Sequence, residues 1–208
     1  MFKHAASLFV ALALFAAPAF AGDGIKVRLK TNKGDIVVEM NGLGAPLTVK
    51  NFLTYVRAGH YNNTLFHRVV KDFVIQGGGV DPDFNGLEDV RDPVMNESDN
   101  GLKNLRGTIA MARFEEPDSA TDQFYINLKD NPQLDPRDNE AGYTVFGTVV
   151  EGMAVADAIG QIKTGRGGPY HAEVPVEPVI LEKASVERPA KTGEKSANSG
   201  KSKPAGSH

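Results

Sequence analysis

The sequence has no cysteine and no tryptophan. Without cysteine there is no disulfide framework, no thiolate nucleophile, no Cys-ligated zinc and no iron–sulfur cluster. A surplus of charge is missing too: 23 Lys and Arg face 26 Asp and Glu over 208 residues, a net of −3. A nucleic-acid binder would show a basic excess, so nucleic acid is not an expected partner. No segment recurs at the roughly 20–50-residue period of solenoids and propellers.

The near-neutral total conceals three unlike segments. In residues 1–21, Lys3 precedes a 13-residue apolar run, Ala5 to Ala17, broken only by Ser7. Pro18 interrupts the run, and Ala19-Phe20-Ala21 offers small residues at the −3 and −1 positions of a cleavage site. The run falls short of the ~20 apolar residues of a spanning helix, so the pattern predicts a cleaved secretory signal peptide rather than an anchor. Residues 188–208 contain no large apolar side chain, five basic residues and one acid. They cannot bury enough surface to offset their ordering entropy, so a disordered basic tail is expected. Removing the leader's single positive charge and the tail's net four from the total of −3 leaves −8 on residues 22–187, a stretch of single-domain size. Export without cysteine suits a periplasmic or secreted protein that folds without disulfides and has no stable membrane insertion after cleavage.

Within 22–187, Ile25 to Lys30 alternates apolar and polar, as do Ile36, Val38 and Met40, with Thr31-Asn32-Lys33-Gly34 between them. That is the pattern of a hairpin. Pro46 suits a helix's first turn. Val49, Phe52, Leu53 and Val56 then share one helical face, and Gly59 would close the helix. A second short helix is predicted over Met153 to Ile159. Strand-like runs are Leu65 to Val70, Phe73 to Gln76, Thr108 to Ala112, Gln123 to Leu128, Tyr143 to Val150 and Val176 to Lys183. Many short strands with two helices predict an antiparallel barrel or sandwich. The polar, Gly-rich spacer from Gly77 to Gly107 is too long to be idle in a compact domain.

Chemistry-bearing residues cluster in the strands. Arg68, Phe73 and Gln76 would share a face across adjacent strands. Taken alone, Arg68 would more simply be an edge-strand arginine in a surface ion pair. Gly77-Gly78-Gly79 lacks the Gly-Lys-Ser/Thr that a phosphate loop requires. Asp81 to Asp92 has part of an EF-hand pattern, but Glu88 stands at an apolar position and no helix precedes it. His67 is expected to be packed or hydrogen-bonded rather than a ligand or base. Ser119 lacks a nucleophile elbow. Asn96-Glu97-Ser98 is a glycosylation triplet expected to be silent.

FHRVV…FVIQGGG, RGTIAMAR, DSATDQFYIN and YTVFGTVVEGM, in this order and spacing, resemble the cyclophilin-type peptidyl-prolyl cis-trans isomerases, and look most like their exported bacterial branch. The resemblance covers nearly all of residues 22–187. It implies a mainly β fold, a closed eight-stranded antiparallel barrel with two capping α-helices, and a groove on the outside because small barrels fill their interiors. By the same resemblance Arg68 is the catalytic arginine, with Gln76 and Gln123 as the polar groups around it. Phe73, Val74, Tyr125, Leu134 and Tyr143 form the proline pocket, and Ala112 and Arg113 meet the substrate backbone. No cofactor and no metal are implied. The partners are proline-containing segments of unfolded or flexible exported proteins, met by a monomer.

Four positions depart from the family's commonest pattern. Val74 replaces Met, shortening one wall. Tyr125 replaces Phe, adding a hydroxyl near the pocket. Asp122 stands where Ser is usual, bringing negative charge close to Arg68. Gln133 replaces an aromatic residue, which predicts weak cyclosporin binding. Two other readings remain at this stage: a proline-peptide-binding chaperone with little catalysis, and a calcium-dependent surface protein using the Asp81–Asp92 loop.

Overall fold

The computed structural model describes residues 24–187 except residue 139; the expected leader and tail lie outside the described residues. The first hairpin forms as its alternation requires, with β1 (Lys26–Thr31) paired antiparallel to β2 (Gly34–Met40). Val27, Leu29, Ile36, Val38 and Met40 point into the core. Helix α1 (Pro46–Ala58) buries Val49, Phe52, Leu53 and Val56, together with Thr48 and Tyr55. Its amino end is capped from a distance. Ala45 offers no side-chain acceptor, and the Glu97 carboxylate instead accepts from Leu47 N (3.0 Å), Thr48 N (2.9 Å) and Thr48 Oγ1 (2.7 Å). At the other end Gly59 adopts φ 74°, a conformation that costs glycine little.

The remaining strands are β3 (Thr64–Leu65), β4 (Arg68–Val70), β5 (Val74–Gly77), β6 (Thr108–Met111), β7 (Phe124–Asn127), β8 (Val145–Glu151), β9 (Thr164–Gly167), β10 (Tyr170–Pro175) and β11 (Ile180–Val186). Helix α2 (Met153–Gly160) follows β8. Nine strands form one antiparallel sheet in the order β3-β11-β1-β2-β8-β6-β7-β5-β4, and β9 and β10 pair separately. Phe52 of α1 centres the core: its ring lies 5.2, 5.5 and 5.1 Å from those of Tyr61, Phe124 and Phe146.

The expected closed eight-stranded barrel is therefore corrected to a curled, open nine-stranded sheet with two helices. Its margins are β3 and β4, which only Phe66 and His67 separate, so the curl brings the two edges near each other. No ladder joins them. The short β3 is already paired with β11, and Leu65 N and Phe66 N donate to Val80 O and Val179 O. For the same reason the expected single strand over Leu65 to Val70 is two strands. The expected strand from Val176 starts instead at Ile180, after the proline at 178, which lacks an N–H for a ladder. The sequence does not predict the hairpin β9–β10: Arg166, His171 and Ala172 are exposed, only Val174 and Pro175 are buried and the rest are half-buried, so no apolar alternation marks it.

Candidate active site

Strand alternation creates two apolar layers. Ile75, Ile109, Phe124 and Ile126 face the main core, whereas their neighbours Val74, Ala110 and Tyr125 join Val145 in a second cluster on the other face. Phe73, Ala112, Leu134 and Tyr143 pack on that cluster. They enclose a cavity of about 270 Å³ whose rim also carries Arg68, Gln76 and Arg113. A proline ring is the kind of small apolar body such a pocket fits. Gln123 borders the adjoining depression with Gln76, Ala112 and Arg113.

The polar edge is a relay of side chains. Arg68 on edge strand β4 stands opposite Gln76 on β5, and its Nη1 donates to Gln76 Oε1 at 3.3 Å. Gln76 Nε2 donates to Gln123 Oε1 at 3.0 Å. Arg68 Nε donates to Glu173 Oε2 at 2.7 Å. Both readings of Arg68 made from the sequence meet here: it is an edge-strand residue in an ion pair, and it lines the cavity. The glycine run that opens the long spacer serves this relay. A Cβ on Gly79 would sit 2.5 Å from the Gln123 side chain, so only glycine lets that amide reach Gln76.

The departures from the family pattern resolve by geometry. The Tyr125 hydroxyl turns away from the cavity and donates to Asn104 Oδ1 at 2.8 Å. Burial pushes that phenol's pKa well above its ordinary range. Among the described residues Asp122 makes no hydrogen bond to Arg68, whose side-chain partners are Glu173 and Gln76. The Asp122 carboxylate is buried 3.0 Å from His60 Nε2 and accepts from Thr121 Oγ1, while its carbonyl accepts from the Tyr61 hydroxyl. Gln133, in a short 3₁₀ turn (Pro132–Leu134), is exposed and donates to Asn131 Oδ1. Arg113 is committed to the scaffold. Its guanidinium donates to the carbonyls of Phe114, Glu115, Ala141 and Gly142 and lies 4.7 Å above the Tyr143 ring.

Two residues at the site carry no sequence signal. Asn104, in the spacer, accepts from Tyr125 and Asn127 and donates from Nδ2 to Asp135 Oδ1 and Tyr143 O, tying three walls of the cavity together. Glu173 reaches Arg68 from 105 residues away. His67 is packed: its ring stacks on Tyr170 at 5.4 Å, and burial lowers its pKa. In the loop that follows β5, the Asp81 carboxylate accepts from Asp83 N, Asn85 N and Asn85 Nδ2, hydrogen bonds that hold its pKa below the usual carboxylate range. Among the described residues no group of three or more His, Asp or Glu side chains is placed to hold a metal ion.

The family described as cyclophilin type peptidyl-prolyl cis-trans isomerase matches residues 26–186. A peptidyl-prolyl cis-trans isomerase of Streptomyces antibioticus is 52% identical over 165 residues, covering 77% of this chain and 97% of that protein. Peptidyl-prolyl cis-trans isomerase B of Escherichia coli is 50% identical over 163 residues, covering 77% and 98%. Among solved structures, a cyclophilin-type isomerase of Cryptosporidium parvum crystallised in the presence of the dipeptide Ala-Pro is similar, with a TM-score of 0.65 and 26% identity. That match covers 79% of this chain and 99% of the other.

Proposed function

The chain belongs to the cyclophilin-type peptidyl-prolyl cis-trans isomerases and accelerates rotation about X–Pro bonds, and from that premise we propose that Arg68 is the hydrogen-bond donor on which the rate depends. The X–Pro bond is an amide with a rotation barrier of ~18–20 kcal/mol. When it twists, resonance is lost and the proline nitrogen becomes a pyramidal acceptor. A fixed guanidinium donates to that nitrogen only in the twisted state, so it stabilises the transition state and not the planar substrate. Arginine suits the task because it stays charged and its fork is rigid.

Uncatalysed rotation takes ~10–100 s. Raising the rate to ~10³ s⁻¹ requires about 5–7 kcal/mol. One preorganised donor supplies ~3–4 kcal/mol by analogy with oxyanion holes. The rest comes from gripping the proline ring against Phe73, Val74, Ala112, Leu134 and Tyr143, with Tyr125 beneath, while the preceding carbonyl swings. Gln76 and Gln123 hold the guanidinium in place. Arg113 acts through the scaffold, shaping the rim between Phe114 and Gly142. The observation that carries this reading is that Arg68 and Gln76 stand on the rim of one apolar cavity of about 270 Å³.

The proposal extends to place and clients. The leader pattern in residues 1–21 and the lack of cysteine support export to the periplasm or beyond. The substrates there are proline-containing segments of flexible or unfolded exported chains. The pocket is tested by NMR with an Ala-Pro peptide. Intermolecular NOEs from its proline ring to the Val74 and Leu134 methyls are expected. NOEs instead to Leu47 and Met95, in the groove beside α1, would refute the assignment.

A further inference from the structure

We propose that Glu173 is a positioning residue for Arg68, held out by the β9–β10 hairpin to fix the plane of the guanidinium; this rests on the reading of Arg68 as the donor. The hairpin is separate from the main sheet, yet it grips two consecutive residues at the sheet's open margin. Tyr170 stacks on the buried His67 ring at 5.4 Å and 22°. Glu173 then accepts from Arg68 Nε at 2.7 Å. Among the described residues, the guanidinium's other hold on the protein is the longer 3.3 Å bond to Gln76, and Nη2 makes none. Anchoring Nε and Nη1 together fixes the fork and leaves Nη2 free to donate.

The backbone at Glu173 shows that this placement is imposed. The register of β10 against β9 shifts between Tyr170 and Val174, and Glu173 sits in that irregularity at φ 66°. Left-handed backbone is unfavourable for a long side chain and persists where the surroundings over-determine it. Glycine or asparagine would be the residue of local preference. The Arg68–Glu173 pair is 38% and 42% exposed at its side chains, so it adds little to stability. Its worth lies in orientation, where small displacements of a catalytic group cost rate.

These opposed effects give the test. Rates of Ala-Pro isomerisation by exchange NMR, with kcat and KM separated, are compared for wild type, Glu173→Gly, Glu173→Gln and Arg68→Ala, alongside thermal melting. Glu173→Gly relieves the backbone, so its melting midpoint is expected within about 3 °C of wild type or above it. Its kcat is expected to fall about fivefold with KM within about twofold. Glu173→Gln keeps an acceptor for Nε and is expected to recover most of the rate. A wild-type kcat in Glu173→Gly, or a loss of rate that follows a lowered melting midpoint, would overturn the inference. If Arg68→Ala is slow while Glu173→Gly is fast, the inference fails and the donor stands; if Arg68→Ala is as fast as wild type, both fail.

Discussion

Replacing Asn104 by alanine should damage both stability and substrate binding, by amounts the geometry fixes. The side chain is buried, and four hydrogen bonds end on it. Asn104→Ala strands the Tyr125 hydroxyl, itself buried, at a cost of ~1–3 kcal/mol. Losing the Nδ2 bonds to Asp135 and Tyr143, the second long at 3.4 Å, adds ~0.5–1.5 kcal/mol. Asn127 Nδ2 keeps Thr108 Oγ1 as a partner and adds little. The total is about 3 kcal/mol, read as a fall in the urea midpoint with an unchanged slope. Tyr125→Phe should cost only about 1 kcal/mol, because Asn104 Oδ1 retains Asn127. In the Tyr125→Phe background there is no hydroxyl to strand, so the penalty of Asn104→Ala should shrink by at least ~1 kcal/mol. Freed walls at Leu134 and Tyr143 should raise KM for an Ala-Pro peptide more than they lower kcat. Additivity within ~0.3–0.5 kcal/mol, or an unmoved KM, would refute the network argument.

Other consequences follow from the same structure. Glu97→Ala removes the remote cap of α1 and should destabilise by about 2 kcal/mol, with Glu97→Gln intermediate; equal urea midpoints for wild type and Glu97→Ala would count against the cap. Burial depresses the His67 pKa, so the stability it contributes is present above the unfolded value of 6.5 and lost as pH falls through the folded value. The midpoint of wild type should therefore drop more steeply below pH 6.5 than that of His67→Phe, and parallel profiles would contradict the assignment. Gln133 offers no aromatic platform, so cyclosporin should bind weakly and Gln133→Trp should bind it more tightly; a submicromolar constant for wild type by calorimetry would oppose this.

Sequence periodicity made the local elements legible and left the long-range ones hidden. Val49, Phe52, Leu53 and Val56 announce α1, and Pro46 and Gly59 mark its ends, because helix signals lie within a few residues of each other. The hairpin β9–β10 escapes because residues such as His171 and Arg166 face solvent, leaving no period to read. Sheet closure escapes for another reason: it depends on whether β3 and β4, at opposite margins, share a ladder. The resemblance places Phe73, Val74, Tyr125, Leu134 and Tyr143 together; strand alternation explains the outward facing of Val74 and Tyr125, while Phe73, Leu134 and Tyr143 reach the cavity from outside the strands. It does not reveal the partner of the Asp122 carboxylate, His60, which is 62 residues distant. Asn104 and Glu173 act through contacts that no local pattern encodes. The absence of tryptophan bears on the site at Gln133, which stands where the family commonly carries an aromatic residue.

In the proposed mechanism Arg68 supplies the hydrogen bond that lowers the barrier. Exchange NMR on an Ala-Pro peptide, with wild type and Arg68→Ala at equal concentration, measures it directly. Fast cis/trans exchange is expected with wild type, and a loss of at least ~100-fold in kcat/KM for Arg68→Ala, with the peptide still bound. Exchange as fast with Arg68→Ala as with wild type would contradict it.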